Sequence, residues 1–373
     1  MARSNTLLLS LTAAALATTA AGRQCQNLTI PVTASARNGV FGIEAPQTNI
    51  DVTNFMLDLS QVGNNLTEKL LTGYATVSGT CNVAATYCEP DSGPGKALQV
   101  LVHGIGFDRS YWDFPADNYN YSYVDQALAA GYSTFAYDRP GIGQSQHGDP
   151  VNEIQSFLEL AVLIELTSQL RAGQVESVAT YDKTVHVGHS FGSIQTYGLA
   201  AQRPELTDAI ALTGFSQNGS YNAEFALGGN FVQANSIPAL GDYPDGYFAS
   251  GSETGVQINF FGPGDFDPAI LKAAYSTGQP VTVGELLTLA GPASVLNTYP
   301  GPVQIVTGER DIPFCGGNCS VTTPSVPEQA GQYFPNATYF DALVVPGAGH
   351  GLNLEYTWPV TYKTILDFFD EHL

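Results

Sequence analysis

The pentapeptide Gly188-His189-Ser190-Phe191-Gly192 decides how the rest of the chain is read. It spells G-x-S-x-G. Residues 183–187 before it alternate like a strand, and residues 193–201 after it read as a helix. A serine on a tight strand-to-helix turn stands clear of the backbone, and the flanking glycines keep side chains out of the crowded turn. The fragment alone is cheap. Gly131-Tyr132-Ser133, Gly143-Gln144-Ser145 and Gly214-Phe215-Ser216 begin the same pattern and do not complete it. Its meaning therefore depends on what surrounds it.

Upstream, Ala97–Val102 is a nearly continuous apolar run, as in a strand buried on both faces. It ends in His103-Gly104-Ile105-Gly106. A helix is expected around Tyr123–Ala130, then a strand over Ser133–Tyr137 ending in Asp138-Arg139-Pro140-Gly141-Ile142-Gly143-Gln144-Ser145. Glu153–Arg171 reads as a long apolar helix closed by Gly173, and Ala209–Thr213 as a further strand. Strands alternating with helices from 97 to 213 imply a parallel sheet covered on both faces. Residues 24–90 carry strand-like runs near 28–35, 55–59, 71–77 and 82–86, and are expected to form a leading antiparallel hairpin.

From 215 to 299 the rhythm breaks into Gly, Pro and aromatic residues, with short helices expected near 268–275 and 283–290. This segment reads as an inserted cap or lid whose aromatics line an apolar pocket. The rhythm resumes with strands over 303–307 and 338–345 and a final helix over 358–371.

A serine hydroxyl is a weak nucleophile unless a base takes its proton and an acid orients the base. In a parallel sheet, residues just past the strand C-termini meet along one edge. Ser190, Asp311 and His350 each follow a strand, as do Asp138 and His103. Asp138 is the competing acid. His103 and His189 read as local hydrogen-bonding groups, and His147 and His186 receive no role.

Taken in order, His103-Gly104, the Asp138–Ser145 run, the Gly188–Gly192 turn, Gly308-Glu309-Arg310-Asp311 and Gly349-His350 resemble the α/β-hydrolases of the serine-nucleophile type. The resemblance covers residues 97–373. It implies an α/β-hydrolase fold with a mostly parallel sheet, helices on both faces and an inserted cap. It further implies Ser190 as nucleophile, His350 as general base and Asp311 as the acid. The backbone N–H groups of Ile105 and Phe191 would then form the oxyanion hole. The expected activity is hydrolysis of a carboxylic ester or lactone through an acyl-enzyme. The alternatives are an aminopeptidase-like amide hydrolase, a lyase, acyl-transfer or cyclisation step on the same triad, and a non-catalytic binding module. An aminopeptidase would need acids in the insert to hold an amine, and Asp242, Asp245, Glu253, Asp265, Asp267 and Glu285 are available.

The chain has 373 residues and a formal net charge of −21, with 13 basic and 34 acidic residues. That balance argues against nucleic-acid partners and anionic membrane surfaces. A small-molecule substrate, apolar or aromatic, is expected. No cofactor is called for. Cys315 and Cys319 lack the histidine pair of a zinc site. Arg3, the apolar run Leu7–Ala17 and the small residues 18–22 read as a signal peptide over 1–22. Residues 23–214 and 300–373 would then be the two parts of the core, with 215–299 inserted between them. Sequons at Asn27, Asn65, Asn120, Asn218, Asn318 and Asn336 fit a secreted glycoprotein. Local disulfides Cys81–Cys88 and Cys315–Cys319 would leave Cys25 alone; a pairing through Cys25 is the alternative.

Overall fold

The computed structural model describes residues 23–373. The expected signal peptide, 1–22, lies outside them. The core is an eight-stranded sheet in the order β1-β2-β4-β3-β5-β6-β10-β11. Its strands are β1 (Arg23–Phe41), β2 (Leu71–Pro90), β3 (Leu98–Val102), β4 (Ser133–Tyr137), β5 (Thr184–His189) and β6 (Ile210–Thr213), followed after the insert by β10 (Val303–Gly308) and β11 (Phe340–Val345). The strands from β4 to β11 run parallel, and β2 meets β4 antiparallel. Strands β3 to β6 and β10 are buried along their whole length, which is why they read as unbroken apolar runs.

The leading hairpin is longer and simpler than the sequence implied. β1 and β2 pair over almost their whole length, from Arg23 opposite Pro90 to Phe41 opposite Leu71. The run at 55–59 is not a strand but part of the helix Asn49–Ser60. Thr48 and Asp51 form a capping box there, and Val52, Phe55 and Met56 share its buried face.

The disulfides are Cys25–Cys88 and Cys315–Cys319, so the expected Cys81–Cys88 bridge is corrected. Cys81 and Cys88 lie seven residues apart on the one extended strand β2. At about 3.3 Å per residue they are separated by roughly 23 Å. Cys88 instead sits directly opposite Cys25, with 4.1 Å between their Cα atoms. Cys81 is free, and burial pushes its thiol up to about 11.

The insert holds a small sheet of β7 (Phe231–Gln233), β8 (Tyr247–Ser250) and β9 (Val281–Thr282). The two expected helices are present at Pro268–Ser276 and Val283–Thr288, and two more lie at Asn222–Gly228 and Glu253–Phe260. Its aromatics divide. Tyr243 and Tyr247 belong to a core of the insert's own, whereas Phe225, Phe231, Phe248, Phe260 and Phe261 join the main core. Among the described residues, no helix is long and apolar enough to cross a membrane.

Candidate active site

Three loops deliver the expected side chains to the C-terminal edge of the sheet. Ser190 occupies the turn between β5 and the helix Phe191–Gln202, with φ 56° and ψ −118°. A positive φ on a non-glycine residue is strained by about 1–3 kcal/mol, so it persists only where neighbours enforce it. The neighbours are tight. A Cβ on Gly188 would lie 2.5 Å from the Gly192 oxygen, and one on Gly192 would strike the Val102 and His103 carbonyls. Only glycine allows the turn to pack between β3 and its own helix.

Ser190 Oγ lies 2.8 Å from His350 Nε2, and His350 Nδ1 lies 2.6 Å from Asp311 Oδ2. His350 and Asp311 are fully buried, and Ser190 is 8% exposed. Asp311 is fixed from its other oxygen, which accepts the Phe314 N–H at 2.9 Å. The Cys315–Cys319 loop folds back on it, with Gly317 N–H donating to the Asp311 carbonyl at 2.8 Å. With Asp311 accepting from Nδ1–H, Nε2 is free to take the Ser190 proton.

The competing acid is committed elsewhere. Asp138 accepts from the N–H groups of Arg109 (2.9 Å) and Gln144 (2.8 Å) and pairs with the Arg109 guanidinium. Burial, aided by Asp108, lifts it to about 6. His103 and His189 also serve local structure. Arg139 N–H donates to His103 Nε2 at 3.0 Å, so the ring's proton sits on Nδ1 and is shared with Gly104 O at 2.9 Å. Burial holds both histidines well below the ordinary value. His189 stacks on Tyr111 with ring centres 4.3 Å apart. His186 lies between the hydroxyls of Thr167 and Thr207.

The loop after β3 presses on the serine. A Cβ on Gly104 would sit 2.8 Å from Ser190 Cβ, so the backbone just before Ile105 packs directly on the serine. Phe191 is the first residue of its helix, where an N–H has no partner within the helix. Gly104 and Phe191 thus meet the serine from two chain segments.

Sequence reading missed four features here. The imidazole of His350 lies nearly parallel to the rings of Phe260 (5.8 Å, 25°) and Phe314 (5.7 Å, 30°). Glu355 accepts the N–H groups of Gly349 (2.8 Å) and Gly262, tying the His350 loop to the insert. Burial lifts its carboxyl to about 8. Arg139 is fully buried and pairs with Glu159 of the core and Glu285 of the insert. Finally, a small cavity of about 30 Å³ opens beside Ile105, walled by Phe107, Phe225, Leu240, Val256 and Phe260. The Thr282-x-x-Glu285 capping box was a local signal that could have placed Glu285 at a helix start. Its partner could not be read in the same way.

The sequence model of the alpha/beta hydrolase family matches residues 99–357, more than half of the chain. The chain belongs to the alpha/beta hydrolase family. This α/β-hydrolase is 31% identical over 145 residues to the (E)-2-((N-methylformamido)methylene)succinate hydrolase of Acinetobacter baylyi. That match covers 39% of this chain and 45% of the relative, so the chain spans under half the relative's length. Among solved structures it resembles a thermophilic esterase from Thermogutta terrifontis (TM-score 0.53, 14% identity, 79% of this chain and 96% of that one). It also resembles the enol-lactonase of Burkholderia xenovorans (TM-score 0.51, 16% identity, 78% and 97%). At such identities the structural likeness speaks for the fold of this α/β-hydrolase.

Proposed function

We propose that this chain is a secreted serine hydrolase that cleaves a neutral carboxylic ester or lactone through an acyl-enzyme on Ser190. The observation that carries the reading is the continuous array from Ser190 Oγ through His350 to Asp311, at 2.8 and 2.6 Å. Ser190 Oγ attacks the carbonyl carbon as its proton passes to His350 Nε2, and Asp311 stabilises the imidazolium. The carbonyl oxygen becomes an oxyanion held by the N–H groups of Ile105 and Phe191, each lowering the barrier by about 3 kcal/mol. The leaving alcohol takes the proton from His350 Nε2. A water then gives its proton to the same nitrogen and attacks the acyl carbon. Collapse releases the acid and restores the Ser190 hydroxyl.

Residues 215–299 act in this reading as a cap over the site, since Phe260 covers His350 and Phe225 walls the cavity by Ile105. No charged side chain lines that cavity, which favours a neutral, apolar substrate. The same fact weighs against the aminopeptidase alternative. Glu285 is bound to Arg139, Asp245 to Asn235 and Asp265 to Thr357, and Asp267 caps its own helix. The hydrolase from Acinetobacter baylyi accords with a hydrolytic reaction. Secretion is supported by the two disulfides and by the sequons, of which all but half-buried Asn218 are exposed.

A panel of short p-nitrophenyl esters, lactones and aminoacyl arylamides tests the reading. Turnover of esters or lactones, abolished by Ser190→Ala, is expected. Turnover of arylamides alone moves the assignment to the peptidase reading. No turnover of any moves it to lyase, transferase or binding roles.

A further inference from the structure

The cavity beside Ile105 is too small for a substrate larger than a few atoms, yet it shares a wall with a larger space. Phe225 lines both the cavity of about 30 Å³ and a groove of about 480 Å³. The larger figure falls in the range of roughly 300–1,000 Å³ typical of small-molecule sites. The groove runs between the leading hairpin and the insert. Its lining includes Phe41, Leu66 and Leu71 from residues 39–74, Leu286 and Leu287 from the insert, and Phe157 from the core helix Ser156–Arg171. Phe225 is 6.1 Å from Phe260, whose ring lies 5.8 Å from that of His350. The groove therefore begins two aromatic rings from the imidazole that faces Ser190.

Two further facts point to an apolar occupant. In a chain of net charge −21, no charged side chain lines this groove. Its polar groups are the neutral side chains of Asn, Thr, Ser and Tyr. One whole wall comes from residues 39–74, which precede the segment matched by the family.

We propose that the groove binds the long apolar arm of a neutral ester whose carbonyl sits at Ser190, with Phe225 as the partition that moves aside to let the arm through. The proposal rests on the hydrolase reading for the position of the carbonyl, but the groove itself can be tested without turnover. Phe225 is then a specificity-determining residue, since its ring decides whether the two spaces join.

The direct test uses Ser190→Ala protein and the neutral fluorophore N-phenyl-1-naphthylamine, displaced by dodecanol. Ala223→Trp with Ala290→Trp places two indoles in the groove. Ala290→Glu, at an exposed position, offers a second variant that places a charge at its edge without burying bulk. Either change, in protein whose circular dichroism is unaltered, is expected to weaken fluorophore binding at least about tenfold. In protein with Ser190 intact, the same changes lower kcat/KM for p-nitrophenyl laurate or lauryl acetate by a similar factor. They leave p-nitrophenyl acetate within about twofold, because a short arm ends before Phe225. Phe225→Ala raises the laurate-to-acetate ratio. Binding and chain-length ratio both unchanged in the filled variants would overturn the proposal. Groove-dependent binding in a protein that hydrolyses no ester would uphold the site and remove the hydrolase reading instead.

Discussion

The guanidinium carbon of Arg139 lies 4.7 Å from the centre of the Phe191 ring. Phe191 follows the proposed nucleophile and offers one of the two N–H groups assigned to the oxyanion. Arg139 Nη2 also points to Gly104 O at 3.5 Å, in the loop that carries the other. Both halves of the proposed hole thus rest on one buried cation, whose Nη1 is shared by Glu159 and Glu285. Burial raises Glu159 well above the ordinary carboxylate value, against the pull of Arg139 and with the help of Glu285. Burial thus favours the protonated form of Glu159 over a further buried negative charge.

Arg139→Leu removes the cation and leaves two buried acids. Loss of one partner from a buried pair costs about 3–5 kcal/mol, so chemical denaturation should show an unfolding free energy lower by that amount. Glu159→Gln keeps a hydrogen-bonding oxygen and a neutral group, and should cost far less. A large loss from Glu159→Gln would show that both acids are charged.

Asp311 and Asp138 make opposite predictions. Asp311→Asn disturbs the tautomer of His350, and kcat on a p-nitrophenyl ester should fall about 10⁴-fold with the fold intact. Asp138→Asn weakens the cap on residues 138–145 and the pair with Arg109. It should lower stability while kcat stays within about tenfold of the parent. If only Asp138→Asn silences the enzyme, the acid is misassigned.

Glu355 ties stability to pH. Burial, with Asp265 and Asp311 adding to it and the Gly262 and Gly349 N–H groups opposing, lifts its carboxyl from the ordinary 4.5 to about 8. The folded chain therefore keeps a proton that the unfolded chain loses. The stabilisation is complete below the unfolded value and is lost as pH rises toward 8. Glu355→Gln, whose oxygen can still accept both N–H groups, should flatten the fall in melting temperature between pH 5 and pH 8. An unchanged slope would show that another group carries it.

Gly104 is a steric requirement of the site. A Cβ there would stand 2.8 Å from Ser190 Cβ and 3.0 Å from the His189 carbonyl. Gly104→Ala should displace the Ile105 loop and cut kcat by about 10²–10³, the loss of one oxyanion donor. A kcat unchanged in this variant would remove Ile105 from the hole.

The sequence revealed what local spacing and strand order determine. The turn at Ser190 is written in five consecutive residues, and Asp311 and His350 were found because strand ends converge in a parallel sheet. The rest depends on contacts between distant segments. Arg139 meets Glu285 across 146 residues, and Glu355 reaches Gly262 across 93. The partner of Cys25 followed only from the register that sets it opposite Cys88. The helix at 49–60 was hidden because its apolar run at 55–59 is as short as a strand, and only the Thr48 and Asp51 cap distinguishes it. Two helices and three short strands of the insert were lost among its glycines and aromatics, where neither period persists.

Whether Ser190 is the nucleophile is settled by treating the folded protein with a fluorophosphonate and locating the adduct by peptide mass spectrometry. A single phosphonylated serine, Ser190, is expected, with labelling lost in Ser190→Ala and strongly slowed in His350→Ala. Labelling that persists in Ser190→Ala, or an adduct on another serine, would contradict that assignment.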